Sequence, residues 1–327
     1  MDGRFAPSPT GPLHLGNLRT ALVAWLCARS SGSRFAVRME DLDAAVCRPE
    51  HEHGQLADLA ALGLDWDSAV VRQSERHGLY DEAIARLTAQ GRTYPCWCTR
   101  REIQAAASAP NGAAPEGAYP GTCLTLTHAQ LARFEAQGRR AALRLRADDA
   151  LVSFVDGLCG PVSAVVDDVV LRRNDATPAY NLAVVVDDAA QGVQHVVRAD
   201  DLLLSTPRQL HLGALLGLPA PTYTHVPLAI APDGTRLAKR HGAVTLADRA
   251  AGGEEPAAVL ARLAASLDLA EPGESVTAAD LVARFDPARL PRQPWVVPAD
   301  VLARPEAVVA GPTRPVPELR SGQPAAQ

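Results

Sequence analysis

Between Arg4 and Asn17 the chain reads Arg-Phe-Ala-Pro-Ser-Pro-Thr-Gly-Pro-Leu-His-Leu-Gly-Asn, a short apolar strand that breaks into a Pro/Gly-rich turn containing His14 and Gly16. Leu18, Ala21, Leu22, Trp25 and Leu26 then fall at helical spacing, so His14 and Gly16 sit where a strand ends and a buried helix begins. The first N–H groups of a helix lack partners and carry partial positive charge, which attracts phosphate. Gly16 has no side chain to hold a flat base or ribose off the backbone. His14 can donate to a phosphate oxygen whose charge grows during transfer. Arg4, Ser8, Thr10 and His14, crowded into one segment that leads into a core helix, set this turn apart from an ordinary Pro/Gly loop.

Outward from that turn, Arg34 to Met39 predicts a second strand with Glu40, Asp41 and Asp43 at its end, a β-α-β start whose crevice lies at the strand C-termini. Helical patterns follow at Glu50 to Leu62 and Ser74 to Gln90. Residues 92 to about 137 differ in character, holding clustered cysteines and a loose loop, and strand-like runs come next at Ala142 to Leu145, Leu151 to Val155 and Val162 to Leu171. Regular α/β texture returns at Tyr180 to Val186 and Val193 to Arg198, followed by a helix from Asp200 to about Leu216. The expected fold class is α/β, a parallel nucleotide-binding sheet split by an inserted α+β module and followed by a small helical domain on Pro256 to Leu267 and Ala278 to Phe285. The expected boundaries are 1–91 and 172–235 for the two halves of the catalytic domain, 92–171 for the insertion, 236–303 for a basic loop and the helical domain, and 304–327 for a Pro/Ala-rich disordered tail.

A chain of 327 residues can build two or three cores. Its formal charge of −5 gives no global attraction to nucleic acid, so RNA contact must come from local arginines such as Arg100, Arg101, Arg139, Arg140, Arg172 and Arg173. No apolar stretch approaches the roughly 20 residues of a membrane span, and the N-terminus lacks a signal-peptide pattern, so the expectation is a cytoplasmic protein without a membrane partner. Among 32 Lys plus Arg, Lys239 is the single lysine, where a compact ammonium can follow a moving phosphate as a planar guanidinium cannot. It lies in Arg236-Leu237-Ala238-Lys239-Arg240-His241-Gly242, which reads as an exposed loop after a strand at Leu228 to Ile230 and a turn at Asp233-Gly234.

Six cysteines are too sparse for a disulfide framework, but Cys96, Cys98 and Cys123 cluster, and three cysteines so close favour zinc over a disulfide. Three thiolates leave one position open, for which sequence alone prefers His128; the alternative is three reduced cysteines in a packed loop. Cys27 belongs to the buried helix, and Cys47 and Cys159 give no signal.

These motifs together resemble the class I aminoacyl-tRNA synthetases of the glutamate branch. His14-Leu15-Gly16-Asn17 is similar to their first signature, with Asn at the fourth position, and Arg236 to Arg240 is similar to their second, with Lys239 as the phosphate-binding lysine. Arg236 stands where that loop has lysine and Ala238 where it has serine. The resemblance implies a Rossmann-like sheet, ATP bound by His14, Gly16, Asn17, Arg236 and Lys239 with Mg²⁺ as charge neutraliser, and L-glutamate bound by Arg4, Ala6, Ser8, Glu40, Tyr180 and Arg198. Catalysis would rest on His14, Gly16, Asn17 and Lys239. The segment holding Arg198 has Ala199 where the family commonly has glycine. The cysteine pattern is similar to a zinc module of this branch in which a tyrosine, here Tyr119, completes Cys96, Cys98 and Cys123. Fewer than ninety residues follow Lys239, which resembles the glutamyl-queuosine members that lack an anticodon-binding region. They activate glutamate without tRNA and transfer it to the cyclopentene-diol of queuosine in the anticodon of tRNA(Asp), and a monomer is expected. A shortened glutamyl-tRNA synthetase charging a 3′ end, a non-catalytic tRNA-binding paralogue and adenylate transfer to a small molecule or carrier protein remain as alternatives.

Overall fold

A computed structural model describes residues 1–99, 101–103, 118–237, 241–242 and 244–303. The tail and Lys239 itself lie outside the described residues. The chain opens with β1 (Gly3–Phe5), α1 (Leu15–Ser30) and β2 (Phe35–Met39), continues through α2 (Pro49–Ala61), β3 (Val71–Arg72) and α3 (His77–Ala89), and enters the region of different character at β4 (Thr93–Cys96). There α4 (His128–Ala136) precedes β5 (Ala142–Leu145), β6 (Leu151–Asp156), β7 (Gly160–Val165) and β8 (Val170–Arg172). The α/β texture resumes with α5 (Tyr180–Ala190), β9 (His195–Ala199), α6 (Thr206–Leu215) and β10 (Thr222–Val226). Beyond β11 (Ala229–Ile230) come α7 (Leu246–Ala251), α8 (Pro256–Ala265), α9 (Ala278–Arg284) and β12 (Trp295–Val296).

Five strands form one parallel sheet in the order β10-β9-β1-β2-β3. Strands from the two halves of the chain meet at β1 and β9, so the expected split sheet is present. Period-two alternation decides what each face holds. Phe5, Phe35, Val37, Met39 and Val197 join the large core with α1, α2, α8 and α9. The intervening Arg4, Arg38 and Arg198 point to the other face, where α3, α5 and α6 build a second core from Tyr80, Leu87, Leu182, Val186 and Leu212. Arg19, 1% exposed, leaves α1 to donate to Ser266 Oγ at 3.0 Å and to the Pro227 carbonyl at 3.1 Å, fastening the sheet to the C-terminal helices.

Three expectations change in detail. Val162 to Leu171 is not one strand: β7 pairs with β6 in a hairpin, whereas β8 pairs with β5 in a separate sheet. The break falls where Asp167 turns to meet Arg208 and Asp168 accepts from the Ala147 N–H, contacts a continuous strand could not supply. The helix expected from Asp200 begins as a 3₁₀ turn over Asp200–Ser205, and α6 starts only with Pro207 in its first turn, where a missing N–H costs nothing. The strand at Leu228 to Ile230 narrows to β11, which pairs with β12 rather than with the main sheet.

Between the sheet and α5 lies a buried ionic network. Asp187 accepts from Tyr80 Oη and Gln73 Nε2, each at 2.8 Å, and from Arg76 at 2.6 Å. Asp188 accepts from Arg38 at 2.7 Å and from Arg4 at 3.2 Å. Burial opposes the charge on Asp188, but Arg4 and Arg38 outweigh it and hold the carboxyl below its usual value. Removing one member of such a network strands the others in a dry interior. Asp187→Ala should therefore destabilise the fold by about 3–5 kcal/mol in urea unfolding, and a loss below about 1 kcal/mol would show that the network is not what holds α5 to the sheet.

Candidate active site

The turn of residues 6–14 leaves the C-terminal end of β1 and meets that of β2, where the Glu40 N–H donates to the Pro7 carbonyl at 2.9 Å. His14 is the N-cap of α1: its Nδ1 accepts from the Asn17 N–H at 3.2 Å, and Asn17 Oδ1 accepts from the His14 N–H at 3.2 Å. This reciprocal capping box satisfies two groups that a helix start leaves open and fixes the imidazole tautomer. With Nδ1 accepting, the proton resides on Nε2. Burial, reinforced by the charge of Arg236, lowers the His14 pKa to about 4, so the ring is a neutral donor near neutrality. Gly16 is explained by packing, since a Cβ there would lie 3.0 Å from the His14 ring and 3.1 Å from Ala229 Cβ.

A cavity of about 630 Å³ opens in front of this turn. Arg4, Ala6, Ser8, Glu40, Tyr180 and Arg198 line it together with His14, Asn17 and Arg236. The structure thus brings nine of the expected ligand-binding residues around one space, with Gly16 behind His14 and Lys239 outside the described residues. Arg236 pairs with Asp201 at 2.6 Å. The loop it opens is not wholly exposed as expected, for Leu237 is 2% exposed and anchored in the core. Gly242 at its far end has φ 118 and a missing Cβ only 2.0 Å from the Leu302 carbonyl oxygen, a place no other residue fits. Ala199 has φ −68, so its methyl replaces a glycine without strain.

The charges in the cavity are not equivalent. Arg4 is already matched by Asp188, whereas the Arg198 guanidinium donates to His225 Nε2 at 3.1 Å, Gln209 Oε1 at 2.8 Å and Thr206 Oγ1 at 2.8 Å, all neutral acceptors. Burial raises the Glu40 pKa, and Arg38 and Arg4 offset only part of that rise. The site therefore offers both a cation matched only by neutral acceptors and a carboxylate that gains from an incoming cation. Sequence reasoning missed Arg38, Asp156, Asp187, Asp188 and His225; the signal available was two adjacent aspartates in an apolar helix and a histidine in an apolar strand.

Beside this cavity a wider cleft of about 1180 Å³ shares Ser8, Glu40 and Tyr180 and runs past Arg139, Arg140 and Arg173 to the cysteine cluster. The Sγ atoms of Cys96, Cys98 and Cys123 all lie within 4.8 Å of one another, and Cys98 and Cys123 at 3.5 Å are too far apart to be bonded. Tyr119 Oη stands 3.4 Å from Cys96 Sγ and 3.8 Å from Cys98 Sγ, and Arg144 lies 3.6 Å over the Tyr119 ring. Among the described histidines, cysteines and acids, these three thiols alone converge, so His128 does not. Two metal–sulfur bonds of about 2.3 Å at tetrahedral angles separate sulfurs by roughly 3.8 Å, so the cluster could hold a metal ion. No helix among the described residues is long and apolar enough to cross a membrane.

Residues 1–303 match the family model of the class I tRNA synthetase (E and Q) catalytic domain. The chain belongs to this family. It is similar to a glutamyl-Q tRNA(Asp) synthetase of Nocardia farcinica, 60% identical over 303 residues that cover 93% of this chain and 95% of that protein. A glutamyl-Q tRNA(Asp) synthetase of Symbiobacterium thermophilum is 49% identical over 315 residues, covering 93% and 98%. Among solved structures, a glutamate tRNA ligase from Elizabethkingia meningosepticum in complex with its amino acid superposes with a TM-score of 0.77 at 26% identity, covering 92% of this chain and 68% of that one. The chain is thus an enzyme of the ligase class, within the glutamyl-Q tRNA(Asp) synthetase branch of the class I synthetases.

The depressed pKa of His14 has a direct consequence. The unfolded chain takes up a proton near pH 6.5 and the folded ring only near 4, so the stability this imidazole contributes is complete above about 6.5 and is lost as the pH falls toward 4. Ring-nitrogen NMR should find His14 neutral, protonated on Nε2 and titrating near pH 4; a midpoint above 6 would contradict the capping geometry.

Proposed function

We propose that this enzyme activates L-glutamate with ATP in the absence of tRNA and transfers the glutamyl group to the cyclopentene-diol of queuosine in the anticodon of tRNA(Asp). The observation that carries the reading is the single cavity lined both by Arg198, Tyr180 and Glu40 and by the strand-to-helix turn bearing His14 and Asn17. Arg198 and the Tyr180 hydroxyl receive the side-chain carboxylate, and Glu40 receives the α-ammonium. Arg4, held by Asp188, and Ser8 complete the wall, with Ala6 keeping it open. An α-carboxylate oxygen then attacks the α-phosphorus of ATP. The new P–O bond forms as the bond to the β,γ-diphosphate breaks, giving glutamyl adenylate and pyrophosphate. The nucleophile is already ionised, so no general base is needed and catalysis rests on position and charge.

His14 donates Nε2–H toward the phosphates, Asn17 and Gly16 hold His14, and Arg236 with Lys239 neutralises the departing pyrophosphate. Mg²⁺ accompanying ATP supplies further charge neutralisation. In the second step a diol hydroxyl oxygen attacks the acyl carbon, the bond to AMP breaks, and the hydroxyl proton leaves to phosphate or water. The cleft carrying Arg139, Arg140 and Arg173 is where we put the acceptor RNA, and residues 92–171 form its module. Names of relatives at 60% and 49% identity support this acceptor. A cytoplasmic monomer, working where tRNA is found, accords with this role.

Glutamate-dependent exchange of pyrophosphate into ATP should proceed without tRNA, and its absence would defeat the activation reading in favour of a non-catalytic paralogue. Glutamate should be accepted by tRNA(Asp) lacking its 3′-terminal adenosine and refused by tRNA(Asp) without queuosine. The reverse pattern would identify 3′-end charging.

The cysteine cluster we assign to one structural zinc ion on Cys96, Cys98, Cys123 and Tyr119, a donor set supported by the convergence of three thiols and a phenol. Cys98→Ser should release zinc and lower the thermal midpoint while leaving pyrophosphate exchange within about threefold, the smaller change expected for a group remote from the phosphates. Zinc retained at full strength would overturn the ligand set.

A further inference from the structure

We propose that His225 and Asp156 are positioning residues that fix the Arg198 guanidinium from below and, by keeping any carboxylate off it, set the preference for glutamate over glutamine; this rests on the glutamate activation proposed above. His225 is in register with Arg198 on neighbouring strands, so both side chains emerge on the same face of the sheet. Its ring is 0% exposed, with Nδ1 2.6 Å from Asp156 Oδ2 and Nε2 3.1 Å from Arg198 Nε. Arginine has no acceptor, so Nε2 must carry the lone pair and Nδ1 the proton, which is donated to Asp156. Asp156 cannot turn away, because its Oδ1 accepts from the Leu158 and Cys159 N–H groups at 2.9 Å and from the His225 N–H at 3.2 Å. Thr206 Oγ1, 3.2 Å from Nε2, accepts from Arg198 as well and closes the set.

Asp156 belongs to the β6–β7 hairpin, yet its position is fixed by the main sheet. The Gly157 N–H donates to the Tyr223 carbonyl at 2.8 Å, and a Cβ at Gly157 would fall 2.4 Å from Thr224 Oγ1. The hairpin end is seated directly on β10. The Tyr223 ring stacks on His225 and lies 5.3 Å beneath the Arg198 guanidinium.

Arg4 shows the other way to hold an arginine, with Asp188 directly upon it. A guanidinium held like that has spent its charge and gains little by choosing a carboxylate over an amide. Interposing a neutral imidazole transmits orientation from Asp156 while leaving the full charge of Arg198 for the ligand. Glutamine would turn an amide NH₂ or a weaker carbonyl toward those donors and lose.

The test compares His225→Phe, Asp156→Asn and His225→Gln in pyrophosphate exchange, with thermal midpoints measured alongside. Arg198 grips glutamate away from the reacting atoms, equally in ground and transition states, so its misplacement raises KM and spares kcat. His225→Phe and Asp156→Asn should raise KM for glutamate about 10–100-fold, narrow the glutamate-to-glutamine ratio, and leave kcat and KM for ATP within about twofold. His225→Gln, which keeps one donor and one acceptor, should recover most of the loss. An unchanged KM in folded His225→Phe, a fall in kcat at constant KM, or His225→Gln as poor as His225→Phe would each overturn the relay.

The wild-type protein gives a second reading that needs no activity and no variant fold. Ring-nitrogen NMR of histidine-labelled protein should show a His225 tautomer protonated on Nδ1 and unprotonated on Nε2 from pH 6 to 8, and the opposite tautomer or an imidazolium would overturn the proposal. If the wild type shows no glutamate-dependent exchange, the proposed function falls, and the tautomer still decides the relay.

Discussion

The two aspartates at the end of α5 are the constraint on which the site depends. Asp187 and Asp188 are adjacent, so on a helix they diverge by about 100° and reach different partners. Asp187 gathers Tyr80, Gln73 and Arg76 from the α3 side, and Asp188 gathers Arg4 and Arg38 from two sheet strands. One helical turn therefore fixes the distance between β1, β2 and α3. A buried charge is costly unless fully paired, so the network tolerates few alternative geometries. Arg4, which helps to neutralise it, also lines the cavity, so the network and the cavity wall share that guanidinium.

That arrangement decides which charges remain for a ligand. Arg4, Arg38 and Arg76 equal Asp187, Asp188 and Glu40 in number, so the local charge there is balanced. Glu40, its pKa raised by burial, is the group with most to gain from an incoming ammonium. Arg198, surrounded by neutral acceptors, has most to gain from a carboxylate. In the proposed function the ammonium and side-chain carboxylate of glutamate answer these two groups.

Much of this was legible in the chain because local rules carried it. The strand-turn-helix at Arg4 to Asn17 showed itself through helical spacing after His14, and the strand-like run Ala142 to Leu145 was found to the residue. What stayed hidden depended on long-range partners. Nothing local says that Arg4 meets an aspartate 184 positions away or that His225 meets Asp156. Asn17 was read as facing a nucleotide, and its amide proves to be half of a capping box as well. The stretch Val162 to Leu171 is apolar enough for one strand, and only the pairing of Asp167 and Asp168 with separate partners shows why it is two.

The insertion poses a different problem from the rest of the fold. Around the cysteines the buried apolar cluster among the described residues is Tyr94, Cys96, Tyr119 and Cys123, with Cys98, Ile103 and Leu126 against it. A metal held by the three thiols and Tyr119, as proposed, would add free energy at the point where, among the described residues, three such donors converge. The location has consequences beyond stability, because Cys96, Cys98 and Tyr119 also line the wide cleft that shares Ser8, Glu40 and Tyr180 with the inner cavity. A loosened cluster would first move the outer wall, where Arg139 is tied to Trp97 beside Cys96 and Cys98. The inner cavity stands on the Asp187–Asp188 network instead. Under the proposed function, activation and transfer are therefore separable: damage at the cysteines should reach the proposed acceptor cleft before it reaches the inner cavity.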